Sequence, residues 1–188
     1  MLSSQEVNRT VSRPHLFRQR AKQEVPYVCV PRHVSESRVY FTVSHFGPEV
    51  IAGDANFTIA DPAGFNFAIM SSSMFITWQR TIGGRIKSDL RFGSTLSWYT
   101  LPLPAVGDGL QEEIISASKA VLKARERHPY RSLADHYNAL VMDPALIKAH
   151  DKLDAAVDRA FGAEGMCQSE KERQELLFAR YAEMLKAD

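Results

Sequence analysis

At Val106-Gly107-Asp108-Gly109 the chain changes character. Before this point apolar residues come in short β-branched and aromatic runs punctuated by Gly and Pro. After it they recur every three or four residues over long stretches. The first pattern suits strands and the second amphipathic helices, and one local geometry cannot serve both. The expected architecture is α+β: a small mixed β-sheet domain with a packed helix, then an all-helical C-terminal module. The division falls into a polar, basic arm at 1–24, a strand-rich domain at 25–106 and a helical domain at 107–188.

Within the strand-rich part, Val25–Val30 and Val39–Phe46 have strand composition. His33–Ser37 reads as a polar turn between them, and Gly47-Pro48 as a second turn. Val50–Ile59 is a further extended segment interrupted at Gly53-Asp54. Asp61-Pro62 has the cap and first-turn proline of a helix start. Phe67, Met70, Met74, Trp78 and Ile82 then form an apolar stripe, which predicts one helix over about 63–82, ended by Gly83-Gly84. Ser94–Leu103 reads as extended, stopped by Pro102 and Pro104. In the helical part, Gln111–Arg127 is the first helix. Asp143-Pro144 opens another that ends at Gly162, and Ser169-x-x-Glu172 is a capping box before the last.

Composition excludes several classes. No apolar run approaches membrane-span length and no secretory pattern opens the chain, so a cytoplasmic protein without membrane contact is expected. Cys29 and Cys167 lack neighbouring ligands at metal spacing, so no metal site is expected. The formal net charge is only +1, but it is unevenly spread. Residues 1–104 hold 11 Lys+Arg against 7 Asp+Glu, a balance of +4, and residues 105–188 hold 12 against 15, a balance of −3. A basic face can exist on such a protein.

Gly84–Phe92 carries the chemistry. Read as one strand, its period of two puts Arg85, Lys87, Asp89 and Arg91 on one face and Ile86, Leu90 and Phe92 on the other. A row of mixed charge suits base edges: Lys donates to guanine O6 and N7, and Asp accepts from cytosine N4. Periodicity alone favours a half-exposed strand with a solvated face. Phosphate anchoring would need other cations, for which Arg18, Arg20, Lys22, Arg32 and Arg38 are candidates.

Four stretches together carry a resemblance. They are Ser71–Trp78 with Gly84–Phe92, Ser94–Pro104, Ser132–Tyr137, and Ala149–Gly162. In this order they resemble the target-recognition domain and helical tail of the MmeI-like enzymes, which combine nuclease, adenine methyltransferase and target recognition. The resemblance implies that residues 25–104 recognise double-stranded DNA. It implies that Lys87 and Asp89 help to choose a base pair, that Arg91 lies in the same surface, and that Ser94 lies near the backbone. It also implies a methyltransferase catalytic domain in cis or in trans as partner. This chain has neither the Gly-rich loop for S-adenosylmethionine nor the (Asn/Asp)-Pro-Pro-(Tyr/Phe) motif that an amino-methyltransferase needs. No cofactor and no catalytic residue are therefore expected in it, and S-adenosylmethionine is expected only for the catalytic domain.

Two other classes compete. A free-standing hydrolase could draw on Ser71, Ser72 and Ser73 and on the six histidines, but no Gly-x-Ser-x-Gly elbow is present, and His150 with Asp154 at i+4 reads as a local pair. Alternatively, the helical tail could be a docking or self-association module beside a strand domain that binds no DNA.

Overall fold

Tyr27, Val28 and Val30 are fully buried, because the strand that carries them lies between two others. In the computed structural model, which describes residues 23–187, β1 (Tyr27–Pro31) pairs antiparallel with β3 (Ser44–Phe46) on one side and β4 (Asn56–Ala60) on the other. A second sheet has the order β2-β6-β5, built from β2 (His33–Val34), β5 (Gly84–Ile86) and β6 (Asp89–Arg91). Arg32 joins the two sheets: its N–H donates to Ala55 at 3.0 Å and its carbonyl accepts from Phe92 N at 2.9 Å.

Several expectations change. His33–Val34 is a strand rather than part of a turn, because it pairs with Arg91 and Leu90. Only Ser44–Phe46 of the expected Val39–Phe46 strand is laddered. Tyr40, Phe41 and Val43 are buried in irregular backbone, where packing rather than pairing holds them. The single helix over 63–82 is two, α1 (Phe65–Met70) and α2 (Ser73–Ile82). Asp61 does cap the first, but from further back, accepting from Gly64, Asn66 and Phe67 N–H at 3.2, 3.1 and 2.9 Å. The break lies at Ser71-Ser72, and a remote carboxylate fixes it. Asp154 accepts from Ser73 N at 2.8 Å and Ser73 Oγ at 2.5 Å, satisfying orphan groups at the start of α2. Ser94–Trp98 is a π-helical turn, not extended chain.

The helical part follows its caps. It comprises α3 (Asp108–Glu126), α4 (Leu133–His136), α5 (Pro144–Ala160) and α6 (Glu170–Ala187). Asp108 already belongs to α3, which starts three residues before the expected Gln111. The Asp143 carboxylate caps α5 through Ala145 N at 2.6 Å, and Gly162 ends it with φ 104°. Before α6, Ser169 Oγ accepts from Glu172 N at 3.2 Å and donates to Glu172 Oε1 at 3.2 Å, while Glu172 Oε2 accepts from Gln168 N rather than from Ser169 N, at 2.8 Å. Helices α3 and α5 run antiparallel: His128, just past α3, meets the α5 cap Asp143 at 2.6 Å, and Glu113 near the start of α3 pairs with Arg159 near the end of α5.

One buried cluster runs through both parts, from Val28 to Leu177. Trp78 on α2 packs against Phe178 and Tyr181 of α6, with centroids 6.1 and 5.7 Å apart. A polar network crosses the same junction. Arg125 donates to the Val43 carbonyl at 2.8 Å and to the Tyr137 hydroxyl from Nε and Nη2 at 3.0 and 2.6 Å. Deeper in the helical part, Arg173 forks onto the fully buried Asp158 at 3.0 and 2.8 Å.

Candidate nucleic-acid interface

Ile86 pairs with Asp89, Arg85 with Leu90 and Gly84 with Arg91, so Gly84–Arg91 is a hairpin with Lys87-Ser88 as its loop. The expected single strand with four charges on one face is not formed. Lys87 has φ 54° and is the only described non-glycine residue with positive φ. A two-residue loop with positive φ at its first position alone has the sign pattern of a II′ turn, which matches the twist of the flanking strands. Glycine usually fills that position, and a side chain there costs about 1–2 kcal/mol. The hairpin therefore carries a strained lysine at its tip.

The turn redistributes the charges. Asp89, Arg91 and Ile86 share the outward face with His33, which pairs with Arg91 from β2. Leu90 points inward and is fully buried. Ile86, expected inside, is 48% exposed beside the tip. Strand β2 covers only Leu90 and Arg91, so Ile86 to Asp89 project past it as a two-stranded ribbon. Arg85 is parted from the others: its guanidinium donates to the Ser88 carbonyl at 3.0 Å and meets Glu36 at 3.4 Å, bracing the loop.

The base of the hairpin is clamped. Gln79, fully buried on α2, donates through Nε2 to the Arg91 carbonyl at 3.0 Å. Its own carbonyl accepts from Gly83 N at 3.0 Å, which turns the chain into β5. A Cβ on Gly83 would fall inside the Gln79 carboxamide and against its carbonyl oxygen. The missing side chain of Gly83 thus lets Gln79 reach the hairpin. Sequence reading gave Gly83 the role of ending the helix and missed Gln79, which has no periodic or motif signal.

The remaining candidates are spread out. Arg32 is exposed, with its guanidinium 5.2 Å from the Phe57 ring centroid. Arg38 is occupied: Nη1 donates to the Ala134 carbonyl at 2.6 Å, and its own carbonyl takes Arg80 Nη2 at 2.7 Å. It ties the two parts together. Ser94 is half-buried at the head of the π turn, its carbonyl accepting from Tyr99 N at 2.9 Å. Arg18, Arg20 and Lys22 lie outside the described residues.

Ser73 and His150 do not form the serine–histidine pair of a hydrolase. Ser73 Oγ is committed to Asp154, and His150 Nε2 lies 2.7 Å from the Tyr137 hydroxyl. Burial, then the Arg125 charge, hold the His150 pKa well below the usual imidazole value. The neutral ring accepts the Tyr137 proton while Tyr137 accepts from Arg125. His150 and Asp154 therefore do not pair with each other across a helical turn. Among the described residues no group of three or more His, Cys, Asp or Glu could hold a metal, and no helix is long and apolar enough to cross a membrane.

The family model described as MmeI, target recognition domain, matches residues 2–105, and that of MmeI, C-terminal domain, matches residues 106–187. The chain belongs to the MmeI family. A solved structure of the Type IIL restriction-modification enzyme MmeI in complex with DNA superposes with a TM-score of 0.84 at 31% identity, over 98% of this chain and 25% of the other. DNA methyltransferase A of Bacillus subtilis (strain 168) is 32% identical over 177 residues, 94% of this chain and 20% of the relative. The chain thus spans a fifth to a quarter of these relatives, in the region of the MmeI target recognition and C-terminal domains, which are non-catalytic parts of a methyltransferase family.

Proposed function

We propose that this chain is the sequence-reading part of a DNA methyltransferase or restriction–modification enzyme, and that the β5–β6 tip reads base edges in the major groove. The observation that carries this is the ribbon itself: a two-stranded hairpin that projects beyond its sheet with Lys87 and Asp89 at its end. The major groove, about 12 Å wide, admits such a ribbon. Lys87 donates to guanine O6 and N7, and Asp89 accepts from the N4 amino group of the paired cytosine. Ile86 is placed for apolar contact with a thymine methyl at a neighbouring pair. Arg91, on the outward face at the base of the hairpin, and Arg32 next to it serve as further backbone or base contacts, and Arg85 serves as a brace for the loop. The matches to a target recognition domain and to an enzyme solved with DNA support double-stranded DNA as the partner. Methyl transfer and cleavage belong to a catalytic domain, in cis or in trans.

Duplex titrations of wild type, Lys87→Ala and Asp89→Ala test the reading. The expected result is a loss of about 1–3 kcal/mol of discrimination at one G·C pair in each variant, with the other positions unaltered. Equal weakening on every sequence would reassign both residues to backbone contact.

A further inference from the structure

Helices α3 and α5 carry the same spacing on the faces they turn to a shared groove. On α3 it is Ala120, Lys123, Ala124 and Arg127, and on α5 it is Ala145, Lys148, Ala149 and Lys152. Each set runs i, i+3, i+4, i+7, a single helical face. The groove encloses about 500 Å³, and Glu126 is the one acid that lines it. Because the helices are antiparallel, Lys123 and Lys148 lie along its middle, and Arg127 and Lys152 fall toward its opposite ends. The alanines form a shallow floor, with Ala124 and Ala149 buried, while the four cations are exposed.

This is a local balance of +3 in a module whose overall balance is −3. Several other cations of the module are spent elsewhere: Arg125 on Val43 and Tyr137, Arg159 on Glu113, Lys171 on Glu175 and Arg173 on Asp158. Among the described residues, Lys123, Arg127, Lys148 and Lys152 enter no ion pair. We infer that this groove is a second DNA contact, which grips the phosphodiester backbone without reading sequence. Its chemistry favours a phosphate strand over an acidic helix. A docked helix needs deep apolar sockets for its anchors, and alanine methyls offer none. Three lysines and an arginine line it as charge donors, the arrangement that makes phosphate contacts and releases counterions.

The inference rests on the proposed DNA reading, and the test separates the two. The protein is titrated with duplexes containing and lacking its preferred site across a salt series. The variants are Lys148→Ala/Lys152→Ala, Lys123→Ala/Arg127→Ala, and Lys119→Ala/Lys186→Ala as an equal-charge control outside the groove. Each groove variant should weaken both duplexes alike, and the slope of log K against log salt should fall by about 2. Between about 50 and 200 mM salt its affinity should then change about tenfold less than that of wild type. The site preference should persist in full in the groove variants and relax at one G·C pair in Lys87→Ala. Slopes equal to wild type, or an equal drop in the control, overturn the groove as a contact while leaving the hairpin reading intact. A groove variant that keeps DNA binding but no longer binds an acidic helical peptide assigns the groove to protein and overturns the inference. No DNA binding by wild type at low salt overturns both.

Discussion

Gly83→Ala tests how the reading hairpin is held. The new Cβ would occupy the space of the Gln79 carboxamide and press on its carbonyl oxygen. The side chain must swing away, so the Arg91 carbonyl loses the donor that reaches it at 3.0 Å. Leaving buried polar groups unpaired costs about 1–3 kcal/mol, and relieving the overlap costs about 1–3 more, so a loss near 3 kcal/mol is expected. Gln79→Ala alone loses the same hydrogen bond and opens a small cavity, again about 3 kcal/mol. The double variant should not lose the sum. The hydrogen bond can be lost only once, and the side-chain overlap disappears with the carboxamide. The expected total is therefore about 4 kcal/mol, a coupling of about 2 kcal/mol for residues in contact. Urea midpoints of the four proteins measure it. Additivity within about 0.5 kcal/mol would show that Gly83 and Gln79 act independently and that the clamp does not exist.

Other outcomes follow from the same geometry. Lys87→Gly should remove about 1–2 kcal/mol of positive-φ strain against a glycine entropy cost of about 0.5–1 kcal/mol, leaving stability nearly unchanged in urea while discrimination at one G·C pair is lost. Burial pushes the Asp154 carboxyl up to about 6, above its value in the unfolded chain. Its contribution to stability is full below the ordinary carboxylate range and is lost, by about 3 kcal/mol, as pH rises through about 6. Asp154→Asn should flatten that slope in unfolding curves taken between pH 4 and pH 7. Arg173→Met strands a fully buried Asp158 and should cost about 3–5 kcal/mol in the same urea assay, whereas Arg173→Met with Asp158→Leu should recover part of it, the Cys167 N–H and carbonyl that this pair also bonds being left without partners.

How legible each element was depended on where its determinants lie. The caps Asp143-Pro144, Gly162 and Ser169-x-x-Glu172 are local, and the helices start and stop where those residues require. The helix over 63–82 was misread because its break is set by Asp154, which is 81 residues away from Ser73. The local sign at the break is Ser72, the N-cap of α2, whose Oγ accepts from Phe75 N at 3.4 Å. The hairpin was misread as a strand for a different reason. Lys87-Ser88 has none of the Asn-Gly or Gly-x chemistry that marks a two-residue turn, and the alternation of charges continues across it by coincidence. The residues named for base reading nevertheless lie at the tip or on the outward face, except Arg85. Ile86 changed sides because the turn reverses the parity of the strand, and Arg38 was taken up by a carbonyl from the helical module.

The most direct test of a sequence-reading hairpin is selection from a randomised duplex pool by wild type and by Lys87→Ala/Asp89→Ala, with sequencing of the bound fraction. The hairpin account predicts that wild type enriches a short site and that the double variant enriches the same site with one G·C position relaxed. An identical site from both proteins, or no enrichment by wild type, would contradict it.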